Sequence, residues 1–168
     1  MNELIKRFID ESVALELNIG DLYQQFSAKF PGDYEFWWKL SIEEMNHAAL
    51  IESINDIFLS ENELPLESLE EQNQSLQKMN VFIRQHIEEF KIESPNRENA
   101  FQLAFEIENS IGESHFELFM TSKTNSVLVR IMQKLNGDDI NHARRMTKYM
   151  IDNGICFSEN SSGNIMKI

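Results

Sequence analysis

Two stretches of this chain place a carboxylate three positions before a histidine in nearly the same setting. They are Lys39-Leu40-Ser41-Ile42-Glu43-Glu44-Met45-Asn46-His47-Ala48 and Lys134-Leu135-Asn136-Gly137-Asp138-Asp139-Ile140-Asn141-His142-Ala143. On a helix, positions i and i+3 lie on one face about a turn apart, so each stretch can offer a carboxylate and an imidazole to one metal ion. Two further carboxylates, Glu16 and Glu108, lie among apolar residues and share the form Glu-x-x-Ile-Gly, as Glu16-Leu-Asn-Ile19-Gly20 and Glu108-Asn-Ser-Ile111-Gly112. An unpaired charge on an apolar face costs several kcal/mol, so each calls for a proton or a cation.

The elements that position these groups are read as helices. With 168 residues, 42% of them hydrophobic, and only 6 Gly and 3 Pro, the composition favours one all-α domain over a turn-rich β fold. The first helix is predicted from Asn2 to Phe30, stopped by Pro31-Gly32, with the stripe Ile5, Ile9, Ser12, Glu16, Ile19, Tyr23, Phe26 and Phe30. The second is predicted from an Asp33 N-cap to about Ser60, with Trp37, Leu40, Glu44, His47, Ile51, Ile54 and Phe58 on one face. Both members of the pair fall on that stripe, and Glu43, one step round, is read as solvated.

Residues 60 to 69 read as a connection broken at Pro65. Helical periodicity resumes at Leu76, Met79, Phe82, Ile83, Ile87 and Phe90 and ends before Pro95. This extra helix carries His86, read as structural, and the passage from 61 to 94 is long enough to return the chain along a bundle. The third bundle helix is predicted to begin after Pro95 and extend to about Met120, with Phe101, Phe105, Glu108, Ile111, His115 and Phe119 inward. The fourth spans about Ser126 to Asn153 with Leu128, Met132, Leu135, Asp139, His142, Met146 and Tyr149 inward, and Gly154 ends it. Asn136-Gly137-Asp138 could instead end one helix and let Asp138 or Asp139 cap another, but the match to the second helix favours continuity. Residues 1–154 are thus one helical domain and 155–168 a polar C-terminal tail.

Each half supplies a lone carboxylate and then a carboxylate-x-x-His pair, so the expected architecture is an antiparallel four-helix bundle of two helical hairpins joined by a crossover with an extra helix. Four carboxylates and two imidazoles at one core level would repel without cations. Two divalent ions would neutralise the four carboxylates. The oxygen and nitrogen donor set, free of sulfur, suits iron or manganese rather than a structural zinc.

In the order helix pair, crossover, helix pair, Glu16, Glu44-Met-Asn-His47, Glu108 and Asp139-Ile-Asn-His142 resemble the ferritin-like di-iron carboxylate proteins, in particular the rubrerythrin group. Glu16-x6-Tyr23 is similar to a glutamate-tyrosine pattern of that superfamily, and the resemblance covers about residues 2 to 153. It implies two iron ions, with manganese or a mixed pair as alternatives. It also implies Glu44 and Asp139 as bridging ligands, Glu16, Glu108, His47 and His142 as terminal ones, and a homodimer. Asp139 departs from the usual glutamate by one carbon-carbon bond, about 1.5 Å of reach. Ile111 stands where rubrerythrins carry a further glutamate. His115 takes in the second half the place Tyr23 holds in the first, and both are read as groups that contact the ligands. With no rubredoxin-like segment, the implied electron source is a separate donor protein.

The functional expectation is an oxidoreductase that reduces peroxide or dioxygen with those external electrons. The alternatives are a non-catalytic iron-binding or iron-handling protein, and a metal-free helical interaction module for which Trp38, next to the core residue Trp37, would supply a contact surface. A formal charge of −13 argues against nucleic acid or an anionic membrane as partner. The N-terminus lacks the pattern of a signal peptide, no run of about 18 apolar residues suggests a membrane span, and the single Cys156 allows no internal disulfide. A reduced, cytoplasmic setting is expected.

Overall fold

Apolar residues recurring at steps of three and four give helices throughout, with no strand among the described residues. The computed structural model describes residues 3–53, 66–114, 117–120 and 127–156, and of residues 66–68, 111–114, 117–118 and 128 the backbone alone. The elements are α1 (Glu3–Lys29), a single 3-10 turn (Pro31–Asp33), α2 (Tyr34–Glu52), α3 (Leu66–Ile92), α4 (Arg97–Ser114), α5 (Glu117–Met120) and α6 (Val127–Asp152). Pro31 and Gly32 end α1 as expected. α6 runs unbroken through Gly137, so Asp138 and Asp139 are helical residues and not caps.

α1 packs along α2 and α3, α4 along α6, and α2 against α6. Contacts fix the directions. Glu16 meets His47 and Tyr23 meets Trp37, so α1 and α2 are antiparallel. Glu108 meets His142 and Phe101 meets Tyr149, which makes α4 and α6 antiparallel as well. The Asn73 side-chain amide donates to the Leu4 carbonyl and that of Asn80 to the Glu11 carbonyl, both across 69 positions, so α3 runs alongside α1 in the same direction. α3 therefore returns the chain to the end where α2 began. It starts about ten residues earlier than the apolar periodicity predicted, because its first turns are mostly polar and, of their described side chains, bury Leu69 and Asn73.

Cover by both α2 and α3 explains why α1 is buried more widely than one stripe, adding Phe8, Leu15 and Leu22 to the expected set. The base of the molecule is an aromatic core in which Trp37 touches Tyr23, Phe26, Phe36 and Phe101. Asp33 was predicted to cap α2, yet its side chain makes no capping bond. Instead it accepts two 2.7 Å hydrogen bonds from the Arg97 guanidinium and one of 2.9 Å from the Tyr149 hydroxyl. A bidentate charged pair outweighs a single backbone amide, so Asp33 ties the α1–α2 turn to the start of α4 and the end of α6.

α6 closes as Gly154 predicts. With φ at +63°, Gly154 lets its own N–H reach the Ile151 carbonyl and the Ile155 N–H reach that of Met150, and Ile155 is buried. Among the described residues, no helix is long and apolar enough to cross a membrane.

Candidate metal centre

Midway along the helices, ligating atoms converge in two buried groups, Glu16 with Glu44 and His47, and Glu44 with Glu108 and His142. Glu44 belongs to both. Its Oε2 lies 3.1 Å from Nδ1 of His47, and its Oε1 lies 2.7 Å from Nδ1 of His142. Glu16 stands 3.6 Å from the first imidazole and Glu108 3.5 Å from the second. The two rings stack almost parallel, centroids 5.4 Å apart. The i, i+3 spacing produces this directly, since each helix projects its pair from one face while the antiparallel partner brings a lone glutamate to the same level.

Both imidazoles turn Nδ1 inward and Nε2 outward. His142 Nε2 lies 3.2 Å from Glu43, and His47 Nε2 lies 3.6 Å from Asp138. Each outer carboxylate immediately precedes the paired carboxylate of the opposite half. Glu43 is therefore not simply solvated, as its helical position suggested. It is held by two hydrogen bonds from Arg145, at 3.1 and 2.6 Å, and lies against His142. Asp138 lies 3.4 Å from the Lys134 ammonium. Such outer partners fix the tautomer and orientation of a ligating histidine. The signal was present in the sequence as a doubled carboxylate in both copies, Glu43-Glu44 and Asp138-Asp139.

Burial sets the proton inventory. Glu16 is pushed up to about 8 by loss of solvent, with the nearby Glu44 charge adding to the effect and His47 opposing it. Glu108 is raised for the same first reason, and Asp139 is raised well above the usual range by burial and by the charges of Glu16, Glu108 and Glu44. Glu44 behaves oppositely: burial would raise it, but the two histidines hold it at about 2. Burial would likewise lower both histidines. The neighbouring carboxylates win, raising His47 to about 10 and His142 to about 11. Without metal, Glu44 is a carboxylate between two imidazolium ions, and further protons neutralise its neighbours.

These residues could hold a cation in place of the protons. Glu44 Oε1 and His142 Nδ1 approach to 2.7 Å, yet neither makes a hydrogen bond, so the close pair is not aligned for one. Glu16 Oε1 and Asp139 Oδ2 are also buried without a partner. Unpaired ligand atoms crowded together in a core cost free energy that a shared cation recovers. The donor set is carboxylate oxygen and imidazole nitrogen, groups that can hold a metal ion.

Five of the six residues expected as ligands fall in the two groups. Asp139 is buried among them but belongs to neither. Tyr23 is wholly buried and donates a 2.6 Å hydrogen bond to Glu108 Oε1, and burial followed by the Glu108 charge raises its pKa well above the usual phenol value. His115 lies outside the described residues, as does the side chain of Ile111. α1 and α2 lie close at Gly20, where a Cβ would stand 3.4 Å from the Ser41 carbonyl oxygen and 3.6 Å from Glu44 Cβ. His86 stacks on Phe90 and meets the Phe82 ring edge to face, away from the metal groups. Comparisons with protein-family models, curated proteins and solved structures gave no match.

Proposed function

We propose that the chain is a ferritin-like four-helix bundle, of rubrerythrin type, that uses a pair of iron ions, or manganese in place of one or both, to reduce peroxide or dioxygen with electrons from an external donor. The observation that carries this reading is Glu44, one carboxylate shared by two buried groups that each add a glutamate and an inward-turned imidazole nitrogen. Glu44 would bridge, with Glu16 and His47 on one ion and Glu108 and His142 on the other. Asp139 stands as the second bridging candidate. A bound metal pair would supply two electrons together and charge neutralisation for four carboxylates.

The protein's own part is to orient and to exclude. Glu43 and Asp138 keep the imidazoles turned so that Nδ1 faces inward. Tyr23 holds Glu108 from one side and places a phenol beside the cluster. The apolar helix faces around Ile19, Leu40, Ile107 and Leu135 exclude water and competing reactions.

Rapid mixing of the reduced, iron-loaded protein with peroxide tests the reading. Fast oxidation, followed by repeated turnover when a reductant is present, is the expected result. Slow oxidation without turnover would leave a protein that only binds iron. A metal content near zero after anaerobic loading would leave a helical interaction module. The exposed Trp38, stacked on Tyr34 outside the core, gives that module a surface feature.

A further inference from the structure

The aromatic core at the base of the molecule is continuous from the cluster to the surface, and its order is chemical as well as spatial. Tyr23, whose hydroxyl touches Glu108, has its ring centroid 5.5 Å from that of Trp37. Trp37 in turn lies 4.3 Å from Phe101 and 5.3 Å from Phe36. Both phenylalanines stack on Tyr149, at 5.6 and 4.1 Å. Tyr149 is half-buried, at the edge of the core, and donates its hydroxyl proton to Asp33 across 2.9 Å. The two oxidisable rings nearest the cluster are thus linked through two bridging rings to a third at the protein edge.

We propose that Trp37 and Tyr149 form a single-electron relay that leads from the Tyr23 side of the buried cluster to the surface beside Asp33 and Arg97. The physiological use rests on the peroxide-reducing reading: a site holding only one of the two electrons that peroxide needs would leave a one-electron oxidant, and that oxidant would draw an electron from Trp37. The relay itself is a property of the rings and does not require metal.

Two features suit the rings to the task. The Trp37 indole nitrogen is buried and has no hydrogen-bond partner. An indole that has lost an electron there has no acceptor for its N–H proton, so it remains a radical cation, a stronger oxidant than the neutral radical. Tyr149 is provided with what Trp37 lacks. Losing an electron turns a phenol into a strong acid, and the Asp33 carboxylate lies in place to take its proton. Burial would raise Asp33, but Arg97 and Tyr149 hold it below the ordinary range and keep it ionised and ready to accept.

The step balances. The Trp37 radical cation takes one electron from Tyr149, giving neutral Trp37, a Tyr149 phenoxyl radical and protonated Asp33. An external one-electron donor at the surface then reduces the phenoxyl, which recovers its proton from Asp33. The net result is one electron moved inward from the donor to the site of oxidation, with no net proton transferred.

The chain has three tyrosines and two tryptophans. Combining Tyr23→Phe, Tyr34→Phe and Trp38→Phe therefore leaves Trp37 and Tyr149 as the sole indole and phenol. In this variant, metal-free and shown to be helical by circular dichroism, a short ultraviolet flash ejects an electron from Trp37 to hexaamminecobalt(III) as acceptor. Transient absorption is expected to show the indole radical decaying as the phenoxyl radical rises, more slowly in heavy water because the proton moves to Asp33. Adding Tyr149→Phe should abolish the phenoxyl signal and lengthen the life of the indole radical. An indole radical with the same lifetime whether or not Tyr149 is present would overturn the relay. Because the measurement is made without metal, its failure leaves the metal-binding reading standing, and a failure of metal binding does not affect it.

Discussion

The two halves of the molecule carry the same set of groups but seat them differently. In the first half, α1 and α2 pack along their length, Gly20 brings the α1 backbone against Ser41 and Glu44, and the paired carboxylate Glu44 reaches both imidazoles. In the second half, the corresponding Asp139 is buried and close enough to feel the charges of Glu16, Glu108 and Glu44, yet joins neither ligand group. Gly137, two positions before it, faces open space. A shorter side chain on a helix that is less closely backed leaves one carboxylate shared where the repeat suggests two. A repeated motif therefore specifies which helix face looks inward, while the length of one side chain decides how far it reaches.

The largest test of this inequality is removal of each paired carboxylate. Glu44→Ala takes a ligand from both groups and is expected to reduce bound iron from about two per chain to near zero, measured by metal analysis after anaerobic loading. Asp139→Asn is expected to retain most of the metal. Equal losses in the two variants would show that the halves bind alike and that Asp139 bridges as the repeat implies.

A smaller effect comes from protons. In the metal-free protein Glu16 is raised from 4.5 to about 8, so its contribution worsens as pH rises from 4.5 through 8 and the unfolded chain ionises first. His47 and His142 are raised from 6.5 to about 10 and 11, so the stability they contribute is complete below 6.5 and lost as pH rises through those values. Glu44, lowered from 4.5 to about 2, contributes above 4.5 and loses that contribution as pH falls towards 2. Thermal unfolding of the metal-free protein should therefore move to lower temperature between about pH 5 and about pH 9, and iron should reverse the trend because its ligands bind deprotonated. A flat profile in the metal-free protein would show that the cluster is not charged as described.

The smallest effect separates the two glycines. Gly137→Ala adds a methyl group to open space within a helix and should stabilise by about 1 kcal/mol in a urea titration. Gly20→Ala has the same helical advantage, but its methyl group would meet the Ser41 carbonyl at 3.4 Å, so a smaller gain is expected. A larger gain at Gly20 would mean that α1 and α2 are less closely apposed there.

How much was legible beforehand differs from residue to residue. Glu16, Glu44, Glu108, His47 and His142 could be read because helical periodicity puts them on inward stripes, and a carboxylate on an apolar face is stable only with a proton or a cation beside it. The roles of Glu43 and Asp138 were missed, although the doubled carboxylates were in view, because their partners lie on the opposite half. Periodicity along one helix carries no information about which residue faces it from another. Asp33 was misread for a similar reason, since its sequence position suits a cap and only the return of α4 and α6 brings Arg97 and Tyr149 to it.

By itself, then, the sequence determined that the described chain is helical, which faces of α1, α2 and α6 turn inward, and the identity of the groups gathered there. These depend on spacing, proline and glycine, which act over a turn or two of chain. Only the tertiary structure decided that Glu44 is shared while Asp139 stands apart, that each histidine is steadied by the other half, and that the aromatic residues from Tyr23 to Tyr149 touch in succession. Those outcomes depend on distances across helices far apart in the chain, where a difference of one carbon-carbon bond separates a shared carboxylate from a neighbouring one.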